Sequence, residues 1–215
     1  TFLSRLHSHD LIMTDNGFGV VSNENIAPAS QARVEAMKAE LTYQRDYNKH
    51  QVIFLMRKFD GWSETEQAEM NINSLVWSPA ILSGWCGVSG QLTYDDLAKY
   101  KKSIDVTEAF LREQLGDALI DEIISEERKG NFAPSHRAAK VKMLAFIGEH
   151  LTVDSVEKTT VGYLHRSTLL FENLLRFIEE HIGDFEKYAV SSAYKANHMK
   201  SYENKADDTT FFFAG

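Results

Sequence analysis

The sequence predicts an all-α fold: an irregular helical bundle around one long C-terminal helix, with a small N-terminal β-hairpin. Three observations carry that prediction. Apolar residues recur at three- and four-residue steps through most of the chain after residue 28. Capping side chains, glycines and prolines punctuate those stretches at helix-sized intervals. The hairpin signal is confined to the N-terminus, where Leu11-Ile12-Met13 and Phe18-Gly19-Val20-Val21 flank an Asn16-Gly17 turn. The chain thus divides into a hairpin segment, 1–27, a helical domain, 28–200, and a polar tether with an aromatic tail, 201–215.

Taken in order, Pro28 opens the first helix, with Ser30 an alternative cap. Val34, Met37, Leu41, Gln44, Asn48, Val52, Leu55 and Phe59 fall along one face of it. The run Val52 to Met56 also fits a buried strand, which periodicity alone does not separate from a helix. Asp60-Gly61 breaks the chain, and Ser63 with Glu66 forms a capping box for the next helix. Ser78-Pro79 restarts a short helix, because proline fits the first turn. Gly84, Gly87 and Gly90 make a loop, and Thr93 with Asp96 flanks a further start. Asp105 and Glu108 form another box, Gly116 and Gly130 are stops, and Pro134-Ser135 precedes a helix to about His150. Ala138, Val141, Ala145 and Gly148 give that helix a small-residue face.

The long helix is read from Asp154, capped with Glu157, to about Ala196. Its stripe is Val161, Leu164, Thr168, Phe171, Leu175, Ile178, Ile182, Phe185 and Ala189, widened by Tyr163, Leu170, Leu174 and Phe177. The phase is kept across Gly183, which favours a continuous or kinked helix serving as the centre of the core.

Composition narrows the function. The chain has 215 residues, 43% of them hydrophobic, enough for a real core. Its formal charge is −8, so phosphate backbones and anionic membranes are disfavoured partners, and no nucleic-acid or membrane binding is expected. A single cysteine, Cys86, excludes an intramolecular disulfide and fits a cytoplasmic location. Thr1 to Leu11 lacks the apolar run of a signal peptide. No cofactor motif is present, neither phosphate loop, G-x-S-x-G nor H-E-x-x-H.

Four stretches hold candidate chemistry. His7 and His9 point the same way on an extended chain, which suits two imidazoles on one zinc ion, though spacing marks no further ligand. Trp85-Cys86-Gly87 resembles the Trp-Cys-Gly start of thioredoxin-type active sites over these residues alone, with Ser89 in place of the second cysteine. Residues 105–127 hold eight acids against Arg112, whereas 128–142 hold five bases and no acid. Two helix faces that pair with each other account for this, and a bipolar docking surface is the sharper alternative. Finally, a polar run leads to Phe211, Phe212 and Phe213, an aromatic anchor on a tether. These features point to a non-enzymatic protein acting through protein–protein contacts, as a structural subunit or adaptor, with a protein partner or further copies of itself. The alternative is a small helical enzyme or metalloprotein using Cys86 or the His7/His9 pair.

Overall fold

The computed structural model describes residues 11–14, 17–22, 25–28, 31–152 and 160–198. Over residues 11–28 it gives three short strands, β1 (Leu11–Thr14), β2 (Gly17–Ser22) and β3 (Asn25–Pro28). They form an antiparallel sheet in the order β1-β2-β3, with Leu11 opposite Val20, Thr14 opposite Gly17 and Gly19 opposite Pro28. Pro28 therefore ends a strand and does not open a helix, and Ser30, the alternative cap, lies outside the described residues.

The remainder is an all-α domain. α1 (Gln31–Met56) runs straight through the apolar Val52–Met56 stretch, so those residues are helix and not a buried strand. After a short 3₁₀ turn comes α2 (Glu66–Asn71), capped by Thr65, whose hydroxyl accepts from the Ala68 amide. The Ser63/Glu66 box is thus displaced by two residues. Ser63 lies inside the 3₁₀ turn and has no free helix end to cap.

α3 (Pro79–Trp85) starts as the sequence implies, with Ser78 accepting from the Ile81 amide and proline at the first turn. α4 (Tyr94–Leu115) has a full capping box, in which Thr93 and Asp96 bond each other's backbone amides. It does not restart at Asp105. That residue pairs with Lys101 one turn back, and Glu108 accepts the buried Leu75 amide at 2.9 Å. Gly116 (φ 90°) and Gly130 (φ 67°) bound α5 (Asp117–Lys129), each in a backbone conformation that favours glycine. α6 (Pro134–Thr152) follows.

The long C-terminal helix is shorter than its periodicity suggests. Its expected cap, Asp154 with Glu157, lies outside the described residues. α7 (Val161–Glu180) begins at Thr160, whose hydroxyl accepts from the Tyr163 amide. It ends in a 3₁₀ turn over Ile182–Asp184, then breaks into α8 (Glu186–Ala189) and α9 (Ser192–Asn197). Phe185 and Tyr188, just after the turn, are fully buried. The first turns of the stripe face solvent: Val161 is 83% exposed, and Leu164 and Thr168 are exposed. Farther along, Ile178 and Phe185 of the same stripe are fully buried, as is Leu174 beside them.

The core centres elsewhere. Ile104, Leu111 and Leu115 of α4, Leu119, Ile120 and Ile123 of α5, and Ala139, Met143 and Ile147 of α6 are all at 0–1% exposure. Leu75 and Leu82 close this core from the α2–α3 side, and Leu174, Ile178, Phe185 and Tyr188 from the other. The bundle is therefore built around α4–α6, with α7 as a flank. A stripe reports that a helix is amphipathic, not which helix is central.

Candidate functional site

α1 is the least covered of the long helices. Its buried residues are Asp46 and Ile53 alone. The apolar face at its C-terminal end is outward: Val52 is 57% and Leu55 51% exposed, with Met56 beside them, and Phe59, three residues past the helix end, is 64% exposed. Spaced i, i+3, i+4 and i+7, these four form an apolar stripe with no cover among the described residues.

On nearly the opposite face of α1, about 160° round the helix, lies a second feature that sequence reading missed. Tyr43, Tyr47, His50 and Phe54 follow one another at i, i+4, i+7 and i+11, an aromatic ridge along α1. Adjacent rings are 6.3 Å apart at Tyr43–Tyr47 and 6.4 Å apart at His50–Phe54. The signal was present in the sequence. It lies on the face away from Val34, Met37, Leu41, Val52, Leu55 and Phe59, which carry the 3.6-residue period of this helix.

Between this ridge and α3 is a cleft of about 130 Å³. α1 contributes Tyr43, Asp46, Tyr47 and His50, α3 contributes Ala80 and Ser83, and Leu92 closes the far side. Asp46 is 3% exposed yet carries a charge. One of its oxygens accepts from Arg45 Nε at 2.7 Å, and the other from the Tyr94 amide at 2.8 Å. Burial alone would raise its pKa. The Arg45 and Tyr94 hydrogen bonds, with the charges of Arg45 and Lys49, outweigh that and hold the carboxyl below its ordinary value. His50 stacks on Trp77 at 4.9 Å. Burial, and then the charge of Arg57, keep its imidazole below the ordinary histidine value. Its Nδ1 is buried with no hydrogen-bond partner, as is the Tyr94 hydroxyl. Burial, and then the charge of Asp46, push the Tyr94 phenol up to about 12.

Behind the cleft, Glu127 of α5 anchors α1 to the core. It is 6% exposed. It accepts Arg57 Nη1 at 2.6 Å and the Trp77 indole N–H at 3.2 Å on one oxygen, and Lys140 Nζ on the other. Such a cluster is held by the hydrogen bonds that satisfy it, since an unpaired buried charge is costly. Arg57 also lies over the Phe54 ring at 4.9 Å.

The other candidates are placed as follows. His7, His9 and Phe211 to Phe213 lie outside the described residues. Cys86 sits at the C-terminus of α3, 3% exposed, and burial pushes its thiol up to about 12 despite the charge of Lys140. A thiol so held stays protonated and is a poor nucleophile. The acidic stretch is partly neutralised from within, where Arg112 binds Glu108, Asp117 and Asp121, and partly by the basic one, where Lys140 binds Glu127 and His136 meets Glu126 at 2.9 Å. Arg128 donates to the Ile72 carbonyl at 2.7 Å. Among the described residues, no group of three histidine, cysteine or acidic side chains is placed to hold a metal ion. Nor is any helix there long and apolar enough to cross a membrane.

One family model matches the chain, over residues 1–72: DUF6712, a family of unknown function. That segment takes in the sheet, all of α1 and α2. No curated protein and no solved structure matches the chain.

Proposed function

We propose that this protein acts through protein–protein contacts, as a structural subunit or adaptor of a larger assembly, and that α1 is the contact element. The observation that carries this reading is the exposed stripe Val52, Leu55, Met56 and Phe59. Three apolar side chains on one helix face and Phe59 just past its end, all exposed, favour a covering surface. The mode fits a helix face laid into an apolar groove, read out as i, i+3, i+4 and i+7 anchors. Phe211, Phe212 and Phe213 are a second anchor in this reading, and the N-terminal hairpin belongs to the same contact half of the chain. The setting is cytoplasmic, and the partner is a protein or a further copy of this chain.

The native mass in cell extract, with and without Leu55→Asp/Phe59→Asp, tests the proposal. Wild type is expected above the monomer mass. The double variant is expected to fall to the monomer mass with an unchanged melting temperature, since both residues are solvent-facing. A wild type that runs as a monomer overturns the reading, and so does a variant that assembles as wild type does. Deleting residues 207–215 is expected to weaken assembly and leave the melting temperature almost unchanged.

A further inference from the structure

The α1–α3 cleft is distinct from the apolar stripe, and its chemistry is different. It combines a buried carboxylate, aromatic walls and an unpartnered ring nitrogen in one small space. At about 130 Å³ it is too small for a cofactor, whose pockets run to roughly 300–1,000 Å³. It suits one flat, ring-sized group, much as an engineered cavity of about 150 Å³ holds benzene.

Asp46 supplies the charge. A carboxylate offers about four lone-pair sites. Arg45 and the Tyr94 amide take one on each oxygen, so acceptor capacity remains on both. Arg45 is mostly exposed and approaches from the solvent side, so the carboxylate already meets one guanidinium at its rim. Lys49, the other nearby cation, is engaged over the Tyr94 ring at 4.2 Å. The tyrosines of the ridge supply faces on which a planar cation stacks, and Tyr47, 47% exposed, stands at the mouth. His50 supplies an orphaned ring nitrogen. A guanidinium meets these features better than an ammonium does, because it is planar, weakly hydrated and presents several N–H donors in a fixed fork.

We propose that this cleft receives the guanidinium of an arginine side chain presented by the protein partner. The inference rests on the reading that the chain binds a protein, and it assigns the chemistry of one contact. Arginine is enriched at the centres of such contacts, where a pocket desolvates it. The overall acidity of the chain, −8, draws a basic partner surface toward it.

The full chain titrated with methylguanidinium, read by amide chemical shifts, tests the assignment. Saturable shifts are expected at residues 43–50, 80–83 and 90–94. Tyr47→Ala, at an exposed position, is expected to weaken binding about tenfold. Asp46→Asn, which keeps an acceptor for the Tyr94 amide, is expected to weaken it more. Three results overturn the proposal: no saturable shifts, shifts centred elsewhere, or equal affinity for neutral methylurea. So does a Tyr47→Ala variant that binds as wild type does. The native-mass experiment fails separately. A chain that assembles through Leu55 and Phe59 yet ignores methylguanidinium refutes the cleft alone. A monomeric chain that binds methylguanidinium refutes the assembly alone.

Discussion

Gly148 lies on α6 where the end of α3 crosses it. A Cβ built at this position would stand 2.8 Å from both Cα and the carbonyl carbon of Cys86, and closer still to the carbonyl oxygen. The obstacle is backbone, which does not swing aside as a side-chain tip does. Gly148→Ala is therefore expected to cost about 1–3 kcal/mol or more, although alanine is the better helix former. A denaturant midpoint equal to wild type would refute the close crossing. The sequence pointed to a small-residue face at 138, 141, 145 and 148, and Gly148 is where it is needed. Val141 and Ala145 are exposed, because the buried face runs instead through Ala139, Met143 and Ile147. Buried charges were less legible. Glu127 and Lys140 read as ends of an acidic and a basic run, and only the packing of α5 on α6 turns them into an internal pair. Asp46 gave no sign of burial, since a lone aspartate in a helix is ordinarily a surface residue.

Helix boundaries were legible where a cap stood beside a real break, and misread where the same pattern fell inside a helix. Thr93-x-x-Asp96 and Asp105-x-x-Glu108 look alike on paper. The first follows a glycine loop and closes a capping box, while the second is two acids on successive turns of α4. Thr93→Ala is expected to cost about 1 kcal/mol by leaving a first-turn amide unmet. Asp105→Ala removes only a solvent-exposed pair with Lys101, and is expected to shift stability by less than about 0.5 kcal/mol. Chemical denaturation of the two variants side by side checks the difference, and equal losses would mean that α4 does break near Ser103. The 3.6-residue phase kept across Gly183 was genuine as a pattern. The backbone nevertheless turns there, in a 3₁₀ turn over Ile182–Asp184, and Phe185 and Tyr188 are fully buried just beyond it.

At the scale of the molecule, the fold class was legible because periodicity, caps and stops agree over most of the chain. Which helix is central was not, since that depends on contacts between segments far apart in sequence. Ile120→Ala, on α5 in the middle of the core, is expected to lose roughly 2–5 kcal/mol. Val161→Ala, at the exposed start of α7, is expected to stay within about 0.5 kcal/mol of wild type. Thermal unfolding of the pair decides whether α4–α6 or the C-terminal helix holds the bundle together. The candidate site was half legible: the apolar residues of α1 fall on one face in the sequence, but an amphipathic face does not say what it faces. The cleft needs α3 beside α1, two elements separated by a turn, a short helix and a proline-led start.

The sparse coverage of α1 has a mechanical side. Between Gln31 and Glu40 none of its side chains is buried, and only Val34 and Met37 are half-covered. Ten helical residues span about 15 Å. This stretch acts as a strut, with its foot fastened by Asp46, Ile53 and Arg57 and its head carrying the chain that leads to β3. A strut of this kind sets both a distance and a dial angle. Each added residue lengthens it by about 1.5 Å and turns its head by about 100°, so seven residues restore nearly the original facing at a reach longer by about 10 Å. Chain length upstream of Asp46 is thus a gauge, and the head and foot of α1 can be re-spaced without touching the core.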